Sequence, residues 1–351
     1  MASPHVLRGL LDVLHFSGLT AAARGSLQGA GSIFCLHHVC PGGGRQKHFA
    51  PNSKLEIEPA FLEAMILHVR KQGLETVSLG EAVARLKSGA GTARPFAVFT
   101  LDDGYKDNAE FAQPVFDRLQ CPYTIFVAPR IAEGSCELWW RIIELVINTG
   151  QVQTEINGAK FNLTCATDAE KWRAWNILFP LIEAMEQHGQ RSYIRALAQA
   201  HGVDVDAYCR AVAMDWDELR AINRDPLCTI GAHTLNHHAV GKMSEADARQ
   251  QLAGSRGIIS RELGEEVRFN AYPYGDEPNA TARDFRLAAE AGYEASLTTR
   301  KGVVFAEHAG HLQALPRVMV SGRYQALRYV DAMMSGLPTA LLNRFDRLNV
   351  A

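Results

Sequence analysis

Two adjacent carboxylates, Asp102 and Asp103, follow an apolar, β-rich run in the stretch FTLDDGYKDN. Neighbouring carboxylates repel each other, and burial raises the pKa of at least one unless a cation or hydrogen-bond donors compensate. Consecutive residues of a strand point to opposite sides, so both can serve one site only where the strand ends. Gly104 relaxes the backbone just there. We therefore expect a cation beside this pair.

A second stretch, TIGAHTLNHHAV, supplies metal-ligating side chains. His233 ends a β-rich run and His237 follows four residues later. If a helical turn begins at His233, the two imidazoles share a face and can reach one ion. A divalent cation bound by Asp103, His233 and His237 would leave Asp102 ionised beside it. Two nitrogens, one oxygen and an open position for water are typical of catalytic zinc, although such mixed ligands also bind other divalent metals.

Each stretch alone has a simpler explanation. Asp-Asp-Gly is usually a turn, and two histidines four residues apart are often helix caps or surface residues. The metal prediction therefore depends on both motifs occurring together, each at the end of a predicted strand. His238 is expected to be only a neighbour, since its spacing from His233 fits one helical face less well. Thr234 stands where an H-E-x-x-H protease has its glutamate, which weakens a proteolytic interpretation.

Strand-like runs alternate with amphipathic, helix-like segments along most of the chain. This alternation predicts a parallel α/β fold, either a barrel or a doubly wound sheet, with both faces of the sheet covered. In such folds active sites lie at the C-terminal ends of the strands, where both motifs occur. The predicted strands are Ser32–His38, Thr76–Leu79, Phe96–Asp102, Tyr123–Pro129, Cys228–His233, Arg268–Tyr274, Glu294–Thr299 and Leu315–Val320.

The composition is that of a globular protein with one or two domains: 351 residues, 47% hydrophobic and 21% charged. A net charge of −2 gives no long-range attraction to nucleic acid or anionic lipid. Seven cysteines without a C-x-x-C pair favour a reducing compartment.

The N-terminal 25 residues are predicted to form an amphipathic helix, because Asp12, His15 and Gly18 interrupt the apolar stretch that a signal peptide would need. No run approaches the roughly 18 apolar residues of a membrane span. We therefore expect a cytoplasmic protein without an integral membrane segment. Peripheral membrane contact by the first helix is left open.

Three motifs in this order resemble the polysaccharide deacetylases of the NodB-homology type, carbohydrate esterase family 4. FTLDDGYKDN is similar to T-F-D-D-G, HTLNH to H-[ST]-x-x-H, and NAYPYG at 270–275 to an R-x-P-Y-like segment. The resemblance runs from about Ser32 to Val320. It implies a deformed (β/α)7 barrel and a metal-dependent hydrolase that cleaves the linear amide C–N bond of an N-acetylated sugar or oligosaccharide.

The resemblance also implies roles for individual residues. Asp102 would be the general base that takes a proton from the attacking water. The metal, with zinc as the expected ion, and a backbone N–H in the Pro273-Tyr274 segment would hold the oxyanion. The implied metal ligands are Asp103, His233 and His237.

Two departures from the family pattern concern the partners of the base. Ala271 stands where many members have an arginine, and Arg317 is a candidate substitute, although a surface or structural ion pair explains it about as well. There is no L-x-H motif near the C-terminus, and His308 and His311 in their glycine-flanked loop are expected to face solvent.

The general acid is predicted at the other end of the chain. The stretch FCLHHV resembles the L-x-Y-H-x-V strand of deacetylases whose motif order is circularly permuted. In that alignment His37 would protonate the leaving sugar amine, because a closed barrel brings the first strand beside the last. His38 would point to the opposite side. A buried structural histidine is the alternative for His37.

The domain prediction is an N-terminal helical extension at 1–28 and a polysaccharide-deacetylase-like barrel at 29–345. An insertion at about 141–215, with a hairpin around Asn157-Gly158 and tryptophan-bearing helices, is predicted to shape the substrate cleft. Trp140 could stack on a sugar ring, although adjacent tryptophans are as often core and cap of a helix.

Two other functions remain open from the sequence. One is a catalytically altered barrel that only binds carbohydrate, and the other is a metal hydrolase of a different amide or ester. The intact Asp102 argues against pure binding, which has no need of an uncoordinated carboxylate.

Overall fold

The computed structural model describes residues 4–44, 48–89 and 94–350. Most strands follow the apolar runs expected from the sequence. They are β1 (Gly31–Leu36), β2 (His38–Val39), β3 (Glu56–Ile57), β4 (Glu75–Thr76), β5 (Phe96–Asp102), β6 (Tyr123–Val127), β7 (Gln151–Ile156), β8 (Ala159–Thr164), β9 (Cys228–Ala232), β10 (Phe269–Ala271), β11 (Ala295–Lys301) and β12 (Leu315–Met319).

Helices fill the connections between these strands. They are α1 (Pro4–Phe16), α2 (Leu19–Leu27), α3 (Pro59–Lys71), α4 (Leu79–Lys87), α5 (Gln113–Leu119), α6 (Pro129–Ala132), α7 (Trp139–Asn148), α8 (Asp168–Glu183), α9 (Gln187–Ala200), α10 (Val205–Val212), α11 (Trp216–Ile222), α12 (Glu245–Leu263), α13 (Ala282–Glu290), α14 (Leu327–Met334) and α15 (Leu337–Leu342). Among the described residues, no helix is long and apolar enough to cross a bilayer.

Seven parallel strands close into a barrel in the order β1-β5-β6-β9-β10-β11-β12, because β1 pairs with both β5 and β12. β4 pairs with the start of β5 on the outside of this ring. The barrel is irregular, since β10 has only three residues and the register shifts between β11 and β12. The prediction of a deformed (β/α)7 barrel is confirmed, and the first strand does lie beside the last.

Side chains of the barrel strands alternate between an interior cluster and an outer layer. The interior cluster contains Ile33, Phe96 and Val98 together with apolar side chains of α4, which packs against it. The outer layer contains Phe34, Phe99 and residues of the surrounding helices. Every residue of β1 and β5 is buried, as expected for parallel strands covered on both sides.

The chain between β6 and β9 builds a separate hydrophobic cluster from the hairpin β7-β8 and helices α7 to α10. The predicted hairpin turn is confirmed: Asn157 and Gly158 have φ of 52° and 79°, the left-handed values that such a two-residue turn requires. The boundaries 1–28, 29–345 and 141–215 stay a prediction.

Candidate active site

The structure brings Asp103, His233 and His237 together at the C-terminal ends of β5 and β9. All three are buried, and their ligand-type atoms lie within 4.8 Å of one another. The Asp103 Oδ1 is 3.1 Å from His237 Nε2 and 3.5 Å from His233 Nε2. One ion could therefore contact all three side chains.

Left-handed backbone produces this convergence. Asp103 has a φ of 77°, so the chain turns sharply after β5 and Asp103 is not directed away from Asp102 as the next strand residue would be. Residues 234–236 form a turn rather than the helical turn expected from His233, and Thr234 and His237 have φ of 58° and 55°. Such conformations cost about 1–3 kcal/mol each in non-glycine residues and cluster at functional sites.

Neighbouring groups hold the His233 imidazole and the His237 backbone in place. The His233 Nδ1 lies 2.6 Å from the Ala271 carbonyl oxygen, which makes Nδ1 the donor and leaves Nε2 free to bind an ion. Arg191 donates to the His237 carbonyl oxygen at 2.9 Å. Ala271, at the position where arginine was expected, thus contributes through its backbone.

The pKa shifts of His233 and Asp103 suit a cation. Burial lowers the pKa of His233 to about 4, so its imidazole is neutral at pH 7. Burial alone would raise the pKa of Asp103, but the neighbouring histidines outweigh it and the pKa is lowered. Within the described residues, Asp103 Oδ1 and His237 Nδ1 are buried without a hydrogen-bond partner. Neutral imidazoles and an ionised carboxylate are the forms in which these groups bind metals, so the residues fit a divalent ion.

Asp102 is held by Arg317 from inside the barrel. The Arg317 Nη1 and Nη2 each lie 2.7 Å from one carboxylate oxygen, and the Arg317 Nε donates to the Thr298 carbonyl oxygen at 2.9 Å. Burial would raise the pKa of Asp102, but the Arg317 charge and the nearby His233 lower it to about 2. Arg317 is itself fully buried, so the alternative of a surface ion pair is wrong.

His37 follows β1 on the other side of Asp102. Its ring lies in a second group of potential ligands with Cys35 and Asp102, within 4.8 Å, and lines the same cavity. Burial lowers the pKa of His37. His38 points elsewhere, as expected: its Nδ1 lies 2.6 Å from an Asp107 oxygen. The acid role of His37 stays a prediction.

A cavity of about 430 Å³ opens above these groups. Trp140 and Tyr274 line one wall, and the Trp140 ring centre lies 4.9 Å from that of His237. Tyr274 has a φ of 63°, and its hydroxyl accepts a hydrogen bond from Trp139 Nε1 at 2.6 Å. Pro273 is buried, and it is not among the described residues that line the cavity. Its contribution would therefore be to the backbone conformation before Tyr274.

The sequence did not indicate several other cavity residues. Their positions depend on loops from distant parts of the chain, and no local motif marks them: Asn52, Lys54, Glu183, Asp276, Lys301 and Met319.

One expectation is wrong. His308 is completely buried rather than facing solvent, although its neighbour His311 is exposed. The flanking glycines do not make this segment an open loop, because a 3-10 turn at Ala306–Gly310 folds the His308 ring inward.

A profile of the polysaccharide deacetylase family matches residues 89–296. This match spans more than half of the chain, which therefore belongs to that family, as the motifs indicated. Family membership supports an enzyme that removes acetyl groups from carbohydrate. No curated protein sequence matches the chain.

Several solved structures share the fold at low sequence identity. Deacetylase PplD of Streptococcus pyogenes in complex with acetate is 14% identical with a TM-score of 0.56, over 86% of this chain and 97% of that chain. IcaB from Ammonifex degensii is 18% identical with a TM-score of 0.53, and the match covers 87% of this chain and 97% of IcaB. A de-N-acetylase from Aggregatibacter actinomycetemcomitans is 14% identical with a TM-score of 0.54, over 86% and 99%.

Proposed function

We propose that this protein is a metal-dependent deacetylase of an N-acetylated saccharide, with Asp102 as its general base. The observation that carries the proposal is the convergence of Asp103, His233 and His237 beside an ion-paired Asp102 at the floor of one cavity. Three potential ligands and a separate carboxylate are what hydrolysis of an amide by activated water needs.

Asp103, His233 and His237 would hold the divalent ion, for which zinc suits the two nitrogens and one oxygen. When bound, such an ion polarises a carbonyl and lowers the pKa of a coordinated water to about 7. The Ala271 carbonyl, by fixing the His233 tautomer, keeps Nε2 directed at the ion.

Asp102 would accept the proton of the attacking water. Arg317 keeps this carboxylate ionised through both of its oxygens, so the base is ready at any pH above its pKa of about 2. The same pairing makes Asp102 a weak base in isolation. A base of such low pKa would need a proton donor of raised acidity, which is the chemistry that a divalent ion held by Asp103, His233 and His237 would supply.

The oxyanion and the leaving group have their own candidates. No hydrogen bond within the described residues uses the Tyr274 backbone N–H, which is available to the developing oxyanion. The His37 imidazole would donate a proton to the departing amine nitrogen as the C–N bond breaks, giving acetate and the free amine. Trp140 offers an aromatic face for the sugar ring.

The proposal is tested by measuring acetate release from N-acetylglucosamine oligomers by the purified protein. We expect release that stops after chelation and returns when zinc is added. Binding of the oligomers without acetate release from metal-loaded protein would instead indicate a carbohydrate-binding barrel. Release from acetanilides or aryl acetates but from no acetylated sugar would indicate a hydrolase of another amide or ester.

A further inference from the structure

A second cavity, of about 210 Å³, lies beside the barrel wall and is lined almost entirely by apolar side chains. Helices α1, α3, α14 and α15 enclose it together with β12. Its lining includes Leu11, Met65, Val330, Met333 and Leu342. An apolar cavity of this kind binds hydrocarbon, because water gains no hydrogen bonds there.

This apolar cavity adjoins the candidate active site. Lys301 and Met319 line both cavities, so the two cavities are neighbours at the ends of β11 and β12. Lys301 is exposed and makes no ion pair with any residue that the structure describes, although carboxylates line the active-site cavity nearby. An ammonium group without an ion-pair partner, between a polar and an apolar cavity, is complementary to an anionic group. A matching ligand would carry that anionic group between its own polar part and its own apolar part.

Helix α1, which lines the apolar cavity through Leu11, presents a second apolar face to solvent. On α1 the side chains of Val6, Leu10, Val13 and Phe16 are 63%, 49%, 62% and 75% exposed and follow one another at helical spacing. Leu342 of α15 is 63% exposed and also lines the cavity. This uncharged face of α1 is of the type that lies in a lipid interface.

We infer that the substrate is an acetylated saccharide joined through a phosphate to a hydrocarbon chain. The sugar would occupy the active-site cavity, the phosphate would lie beside Lys301, and the hydrocarbon would occupy the apolar cavity. The exposed face of α1 would rest on the lipid surface that holds this substrate. The inference rests on the proposed deacetylase function and adds the class of substrate.

Three observations favour this occupant over a second copy of the chain or a peptide. The apolar cavity borders the catalytic one at Lys301 and Met319, a position that a surface used only to dock a partner does not require. A cation lies at the junction, where the linking phosphate of a lipid-linked sugar would be. The exposed α1 face carries no charge, whereas the rim of a protein interface is polar.

The first test compares two soluble probes, N-acetylglucosaminyl phosphate esterified with methyl or with dodecyl, below the critical micelle concentration. We expect kcat/KM for acetate release to be at least about tenfold higher for the dodecyl compound, since each buried methylene favours binding. Met333→Trp, which fills the apolar cavity, should remove most of this ratio. Leu67→Trp, at an exposed position of α3 outside both cavities, is the matched control and should keep it.

The second test needs no catalysis. Calorimetry with dodecyl phosphate should show saturable binding to the wild type, and Met333→Trp and Lys301→Gln should each weaken it by about tenfold or more. Equal kcat/KM for the two esters, or no saturable binding of dodecyl phosphate, would overturn the inference. If dodecyl phosphate binds but neither ester releases acetate, the lipid site stands and the proposed deacetylase function fails.

The membrane contact is tested with vesicles of phosphatidylethanolamine and phosphatidylglycerol. Wild-type protein should float with the vesicles, and the double variant Val13→Ser/Phe16→Ser should remain in solution. A wild-type protein that does not float, or a double variant that floats as well as the wild type, would overturn the lipid contact. A double variant that changes from dimer to monomer without any loss of flotation would indicate instead that this face is an interface between copies.

Discussion

Arg317 of β12 and Asp102 of β5 are both buried and are joined by two parallel hydrogen bonds of 2.7 Å. Only β1 separates these two strands in the closed barrel. Barrel closure therefore places the guanidinium against the carboxylate, and the arginine that the third motif lacks is supplied from another strand.

Arg317→Met should destabilise the protein by about 3–5 kcal/mol, because it leaves Asp102 buried and unpaired. The pKa of Asp102 is lowered by the pair, so the stability from pairing is present above the usual value of 3.8 and is lost as the pH falls through about 2. Urea unfolding at pH 7 measures the loss. In the double variant Arg317→Met/Asp102→Asn much of the stability should return, and an equal loss in both variants would show that the charge is not the cause.

His237→Gln should lower zinc affinity by at least about tenfold, since it removes one of the three proposed ligands. Its neighbour His238 is equally buried but lies outside the ligand group, so His238→Gln is the matched control and should keep the ion. Elemental analysis after dialysis against a weak chelator measures this. Retention of full zinc content by His237→Gln would remove that residue from the ligand set.

His37→Gln should slow acetamide cleavage by about 10²–10⁴-fold, the usual contribution of a general acid. An aryl acetate releases a leaving group that needs no proton, so its hydrolysis should change far less. The ratio of the two rates is therefore the measurement. A parallel loss for both substrates would point to a structural role for His37, and an unchanged acetamide rate would exclude it from the mechanism.

His308 should make the fold sensitive to mild acid. Burial lowers its pKa from 6.5 to about 4, so between these values the unfolded chain binds a proton that the folded chain does not. This contribution to the free energy of unfolding is therefore fully present above pH 6.5. The free energy of unfolding falls by about 2 kcal/mol between pH 7.5 and pH 5. In His308→Asn the amide oxygen can still accept a hydrogen bond from the Phe305 N–H. Urea unfolding of this variant should show a smaller fall in the free energy of unfolding over the same pH range. An identical fall would place the acid sensitivity elsewhere.

Much of the fold could be predicted because parallel strands buried on both sides have continuous apolar sequences. β1 and β5 are strands of this kind. The Asp103, His233 and His237 cluster was predictable for the same reason: each motif ends a strand, and strand ends meet at one face of a barrel.

The remaining features depend on tertiary structure that no local pattern encodes. Left-handed backbone at Asp103, Thr234 and His237 is not favoured strongly enough by any of these residue types to be predicted. The contact between Arg317 and Asp102 exists only after the barrel closes. The apolar cavity forms where the N-terminal and C-terminal helices meet, and neither sequence segment alone indicates a cavity.

The most direct test of the central claim is acetate release from N-acetylglucosamine oligomers by wild-type protein and Asp102→Asn at equal zinc content. We expect zinc to bind to both proteins and turnover to occur in the wild type alone, because the variant keeps the three proposed ligands and loses the proposed proton acceptor. Undiminished acetate release by Asp102→Asn would contradict this expectation.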